Sequence, residues 1–147
     1  MSAADLLGGW VLNVIDEGAE QPGVSITASP LPEFVVCSMR TFGLEPSGNE
    51  LYVLIGRAED CHVRPSKLEV SRHHCAVVIR DSGPLLLDLK SRNGCWHNGS
   101  EVASGQGKLL ADGDVFGPPL CKFVLRRIAA SNVSESVTQV TEDFVPT

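Results

Sequence analysis

The stretch Cys75-Ala-Val-Val-Ile-Arg-Asp-Ser-Gly-Pro-Leu-Leu-Leu-Asp-Leu-Lys90 decides the fold class. Two short apolar runs, 75–81 and 85–90, flank Asp81-Ser-Gly-Pro84, whose residue types belong to a tight turn. Each run is strand-sized, and neither shows helical spacing. The same grammar repeats on either side. Strands are expected near Phe34–Thr41, Leu51–Ile55, Cys61–Val63, Cys95–Asn98 and Leu120–Ile128, with a weaker one near Asp114–Phe116. Glu45-Pro-Ser-Gly-Asn49, Ser91-Arg-Asn-Gly94, Asn98-Gly99 and Ala111-Asp-Gly113 supply the turns between them. Many short strands, tight turns and no interleaved helices predict an all-β antiparallel sandwich.

The ends read differently from this centre. Residues 1–31 form an N-terminal extension, in which Trp10–Ile15 could add an accessory strand and the rest could be a loosely ordered arm. Residues 32–129 form the sandwich domain. Residues 130–147 are rich in Ser, Thr and acids, the composition of a flexible tail. Hydrophobic residues make up 43% of the 147, enough for a core without disulfides or a structural metal. Five cysteines and no basic, apolar leader predict free thiols in a cytoplasmic setting, or a nuclear one in a eukaryote. No apolar run approaches the roughly 18 residues of a membrane span, so no membrane partner is expected.

Net charge is −6, unevenly distributed. Residues 51–128 carry eleven Lys/Arg against eight Asp/Glu, while both ends are acidic. Nucleic-acid binding calls for a broad basic face, which this pattern does not supply. A compact pocket for one anionic group fits it, as does an uneven solvated surface.

Four loop clusters carry the chemistry: Gly56-Arg57, Val70-Ser-Arg-His-His74, Ser91-Arg-Asn-Gly94 and Asn98-Gly99. A phosphate monoester brings nearly two negative charges and three strong acceptor oxygens. Arginine answers with a planar fork, a serine hydroxyl and turn amides add neutral donors, and an asparagine can clamp an extended peptide backbone. With Tyr52-Val-Leu-Ile-Gly-Arg57, Cys61 and Val63, Leu86-Leu-Asp-Leu-Lys-Ser-Arg-Asn-Gly94 and Leu110-Ala-Asp-Gly-Asp114, these clusters resemble the forkhead-associated (FHA) domain family over about Glu33 to Ile128. The resemblance implies an eleven-stranded antiparallel sandwich whose apical loops bind phosphothreonine peptides. It implies that Arg57, Ser71, Arg72 and Arg92 meet the phosphate or adjacent peptide, and that Asn93 holds the peptide main chain. His74, Gly56, Gly94, Asn98 and Gly99 are implied to brace and shape the loops. Departures are His62 where Asp is frequent, Cys95 where Thr is frequent, and Gly117-Pro-Pro119 where a strand often continues. Cys95 is taken to bear on partner selectivity.

Competing chemistries find less support. Cysteines and histidines between 61 and 97 lack any C-x₂₋₄-C pair, so no metal and no cofactor are expected. Cys37, Cys61, Cys75 and Cys121 are expected to fill core. Ser71, His74 and Asp88 could be drawn as a hydrolase triad, but no G-x-S-x-G elbow precedes a helix, and Gly105-Gln-Gly-Lys108 lacks the P-loop spacing. The expected function is a non-enzymatic phosphothreonine-dependent adaptor acting downstream of a Ser/Thr kinase, with self-association through phosphorylated Thr138 or Thr141 as a further expectation. The alternative is a phospho-independent scaffold using the same loops or a sheet face.

Overall fold

The computed structural model describes residues 10–16, 19–20, 27–28 and 30–127. Among them are eleven strands: β1 (Trp10–Asp16), β2 (Ala19–Glu20), β3 (Thr27–Ala28), β4 (Leu51–Ile55), β5 (Cys75–Arg80), β6 (Gly83–Asp88), β7 (Cys95–His97), β8 (Ser100–Val102), β9 (Gly107–Leu109), β10 (Val115–Gly117) and β11 (Phe123–Arg127). One helix, α1 (Glu33–Thr41), lies between β3 and β4. The strands form two antiparallel sheets, one ordered β2-β1-β11-β10-β7-β8 and the other β3-β4-β5-β6-β9. The all-β sandwich expected from the turn grammar is the fold observed. The decisive hairpin, β5–β6, pairs Arg80 with Gly83 and Cys75 with Asp88. β1 lies inside the first sheet, pairing Trp10 with Arg127 and Val14 with Phe123. Its Leu12 is fully buried.

The second sheet is covered on both faces. Successive strand residues point to opposite sides. Val53, Ile55, Val77, Ile79 and Leu86 therefore face the first sheet, where they meet Leu12, Phe116, Phe123 and Leu125. Leu54, Ala76, Val78, Leu85 and Leu87 point the other way and are sealed by Val35 and Met39 of α1. This is why β5 and β6 read as unbroken apolar runs instead of alternating ones.

The segment expected as a strand near Phe34–Thr41 is thus α1, and the sequence reading is corrected. Val35 and Val36 favour β structure locally, but Val35 and Met39 stand four apart on one helix face and bury fully. Glu33 in the first turn and Arg40 in the last suit the helix dipole. The helix stops in a Schellman arrangement: the Leu44 N–H donates to Met39 O and the Gly43 N–H to Arg40 O, with Gly43 at φ +91°. Three smaller expectations are also corrected. Cys61–Val63 forms only a single parallel bridge, Val63 to Ile55. β11 begins at Phe123 because Leu120 takes a left-handed φ of 67°. Cys37, expected in the core, is exposed on α1. β10 ends at Gly117, directly before Pro118-Pro119. The expected tail, 130–147, lies outside the described residues.

Glu50, just before β4, is buried yet well partnered: Ser47 N–H and Oγ–H donate to one carboxylate oxygen and Gly48 N–H to the other. Burial pushes its pKa up, but the hydrogen bonds outweigh burial and hold it below the ordinary 4.5. A carboxyl lowered in the folded state adds stability that is present above its unfolded pKa and lost as pH falls through its folded value. In urea titrations, the stability advantage of wild type over Glu50→Gln should be full above about pH 5 and shrink below about pH 4. Met39→Ala should cost about 2–5 kcal/mol, read from the urea midpoint. A loss under about 0.5 kcal/mol would show that α1 does not seal the sheet.

Candidate functional site

Three of the four loop clusters meet at one end of the sandwich. The chain leaving β4 runs beside the segment entering β5: His74 N–H donates to Ile55 O at 2.9 Å, Arg57 N–H to Ser71 O at 3.1 Å, and Ala58 N–H to Arg72 O at 3.0 Å. Gly56 is required here. A Cβ at this position would stand 2.1 Å from Arg72 O. Arg57 Nε then donates to Val70 O at 2.5 Å, which leaves its terminal guanidinium nitrogens as further donors. The third cluster joins through Ser71 Oγ, which accepts Arg92 N–H at 3.1 Å, and through Asn93 Nδ2, which donates to Glu69 O at 2.9 Å. Ser71 keeps a hydroxyl hydrogen to donate, and Asn93 keeps its carbonyl oxygen. Arg57, Arg72, Arg92 and Asn93 are exposed.

Beneath the loops is a buried polar knot. Ser71 N–H can only donate, so His74 Nδ1 accepts it at 2.9 Å. The ring proton is therefore on Nε2, which donates to Gly94 O at 2.6 Å. One fully buried imidazole thus ties the 70–74 loop to the 91–94 loop. Gly94, at φ +73°, turns its carbonyl toward the ring. Asp88, also fully buried, collects Ser91 N–H at 2.8 Å, Ser91 Oγ–H at 2.5 Å, Gly105 N–H at 3.0 Å and the Cys95 thiol at 3.2 Å. The neighbouring Cys75 and burial push the Cys95 thiol far up, so it stays protonated and donates. The position of Cys95 after the loop suggests a bearing on selectivity. Its side chain instead turns inward and is 3% exposed.

Asn98-Gly99 is not brought to this end. Both residues have positive φ, 48° and 85°, in the two-residue turn joining β7 to β8. Asn98 binds Asp114 and the Val115 N–H there, so it shapes its own hairpin at the far end of β7. The hydrolase trio is also spoken for. His74 holds the backbone of Ser71, not its hydroxyl, and no nucleophile–base pair forms among Ser71, His74 and Asp88.

Arg57, Ala58, Glu59, Asp60, Arg72 and His73 line a shallow pocket of about 430 Å³. Two acids on this wall moderate its positive charge, and one is paired: His73 Nε2 lies 2.8 Å from Asp60 Oδ1. That hydrogen bond holds the Asp60 carboxyl below its ordinary value. His73 was not singled out in the sequence as a site residue. Its ring stacks on Phe34 of α1, centroids 4.6 Å apart, and the unanticipated helix explains the omission. Asp60, Cys61 and His73 lie close enough to share an ion. Burial and Asp60 push the Cys61 thiol up to about 11, and it donates to Arg72 O.

The two-sheet antiparallel sandwich thus gathers arginine, serine and asparagine on the loops of one end. Residues 53–117, which span the three converging loops, match the FHA domain family model. Solved FHA structures share the fold. The FHA domain of FhaA, solved with the intracellular domain of Rv3910, is 26% identical with a TM-score of 0.52, covering 80% of this chain and 100% of its own. The N-terminal FHA domain of S. cerevisiae Rad53p, in complex with a phosphothreonine peptide, is 21% identical with a TM-score of 0.56, covering 80% and 94%. A probable serine/threonine-protein kinase of Dictyostelium discoideum, fhkA, is 27% identical over 108 residues, 63% of this chain but 18% of that protein.

Asp88→Ala should orphan the Ser91 and Gly105 amides and cost at least about 2 kcal/mol, because each buried unpaired donor carries a penalty of about 1–3 kcal/mol. Thermal melts check this against Asp60→Ala, whose exposed pair should be worth less than about 1 kcal/mol. Equal losses in the two variants would contradict the role of the knot.

Proposed function

We propose that this chain is a phosphothreonine-dependent peptide-binding module. The observation that carries the reading is the convergence of Arg57, Ser71, Arg72, Arg92 and Asn93 on one exposed end, joined by the Arg92 N–H to Ser71 Oγ bond. A doubly charged phosphate placed over these loops would take the terminal nitrogens of Arg57 and the Ser71 hydroxyl as donors, with Arg72 and Arg92 closing from the sides. The Asn93 amide would fix the extended peptide backbone beside it. His74, Gly56 and Gly94 act from beneath by holding loop shape. Preference for threonine rests on the family resemblance and on the phosphothreonine peptide bound by the Rad53p domain.

The wider role we infer is that of an adaptor: a Ser/Thr kinase writes the mark on a partner and this domain recruits it. The sequence also offers Thr138 and Thr141 as phosphorylation sites, through which a second copy could be captured. Light scattering of the phosphorylated chain should then show a dimer or larger species, and a monomer with a free site would remove that part.

In calorimetric titration with a phosphothreonine peptide library, Arg57→Ala or Ser71→Ala should each weaken binding about tenfold to a hundredfold with the melt preserved. A charged hydrogen bond of this type is worth about 1.5–3 kcal/mol. Phosphatase treatment of the peptide should abolish binding. Binding that survives phosphatase would favour a phospho-independent scaffold.

A further inference from the structure

The turn that follows β4 and the loop that precedes β5 bring three unlike donors together. Asp60 offers a carboxylate, Cys61 a thiol and His73 an imidazole, with one ligand atom of each lying within 4.8 Å of the others. Sulfur, imidazole nitrogen and carboxylate oxygen are the donor types that zinc takes. The backbone holds the three in place: Ala58 N–H donates to Arg72 O at 3.0 Å, and Cys61 N–H to Ala58 O at 3.1 Å. His73 is fixed further by its stack on Phe34. The sequence expectation of no metal rests on the missing C-x₂₋₄-C pair, a signature that a site with one cysteine does not carry.

We propose that Asp60, Cys61 and His73 bind one divalent transition-metal ion of the zinc type, which clasps the turn after β4 to the loop before β5. His73 Nε2 lies 2.8 Å and 3.0 Å from the two Asp60 oxygens, with only a hydrogen between them. A tetrahedral metal with bonds of about 2.0 Å to each would set that nitrogen and one oxygen about 3.3 Å apart. The Asp60 side chain is 60% exposed and can make this small shift. Cys61 approaches from the buried side, where its thiol donates to Arg72 O at 3.3 Å. A thiol is a weak donor, and its proton passes to solvent as the sulfur takes the metal. Three protein ligands leave a fourth position for water. The ion enters from solvent, because Asp60 and His73 line the shallow pocket that also holds Arg57 and Arg72. Those two cations oppose it, and Glu59 on the same wall, with the Asp60 carboxylate, offsets them. His74, Asp88 and Cys95 also cluster, but they are buried and already bonded within the knot, so that trio carries no such site.

The clasp stands apart from phosphopeptide binding, so its test contains no peptide. The full chain, kept reduced, is titrated with cobalt(II), whose bond to a thiolate gives a charge-transfer band in the near ultraviolet. One equivalent should produce the band, and zinc(II) should bleach it with a dissociation constant in the micromolar range or below. Cys61→Ser should abolish the band, while Cys37→Ser, which removes the exposed thiol, should retain it. Saturating zinc should raise the melting temperature of wild type and leave that of Cys61→Ser unchanged. Asp60→Asn, at an exposed position, keeps the test decisive should Cys61→Ser fold poorly. It should weaken zinc binding at least about tenfold, the loss that even an outer partner of a metal ligand brings. Absence of a thiolate band, or a band that survives Cys61→Ser and vanishes in Cys37→Ser, would overturn the site. Zinc binding by Asp60→Asn as tight as wild type would overturn it equally.

Discussion

The His74 imidazole holds the loop end of the sandwich together. It has no solvent contact, accepts the Ser71 amide on one nitrogen and donates to the Gly94 carbonyl on the other. Two loops that are distant in sequence are thereby set at a fixed spacing by one rigid ring. The arrangement is cheap only because everything polar around it is satisfied. Asp88 absorbs the Ser91 and Gly105 amides, the Ser91 hydroxyl bridges to Gly94, and the Cys95 thiol completes the carboxylate's partners. Side chains rooted in such a knot can project arginines and an asparagine into solvent without their backbones drifting.

The knot depends in turn on the second sheet. β4 delivers Gly56-Arg57, β5 begins just after the 70–74 loop, and β6 ends at Asp88. Because α1 covers the outer face, these three strands are buried on both sides. Loops springing from such a platform are better fixed than loops on a half-exposed sheet. The helix that stabilises the sheet thus also borders the proposed site, through Phe34 stacked on His73.

Much of this was legible in the sequence, for reasons that can be named. Turn residues at Asp81-Ser-Gly-Pro84 and Ser91-Arg-Asn-Gly94 marked the strand ends, and the spacing of Gly56-Arg57, Ser71 to His74 and Asn93-Gly94 marked three loops that do converge. Phe34–Thr41 was misread because Val35-Val36 raises local β propensity, although Phe42-Gly43-Leu44 is the stop signal of a helix ending in a Schellman turn. The unbroken apolar runs of β5 and β6 held a second clue, since a strand without polar alternation needs a cover on each face. Asn98-Gly99 was legible as distant from the site, because β7 runs between it and Ser91-Arg-Asn-Gly94 and an extended strand puts its two flanking turns at opposite ends. The partner of β1 was out of reach, because pairing Trp10 with Arg127 spans nearly the whole chain.

A crystal structure of the chain with a bound phosphothreonine peptide tests the central claim most directly. The phosphate should lie within hydrogen-bond distance of the Arg57 guanidinium and the Ser71 hydroxyl, with the Asn93 amide on the peptide backbone and His74 unmoved beneath. A phosphate that sits elsewhere, or a peptide laid along a sheet edge with these three side chains untouched, would contradict it.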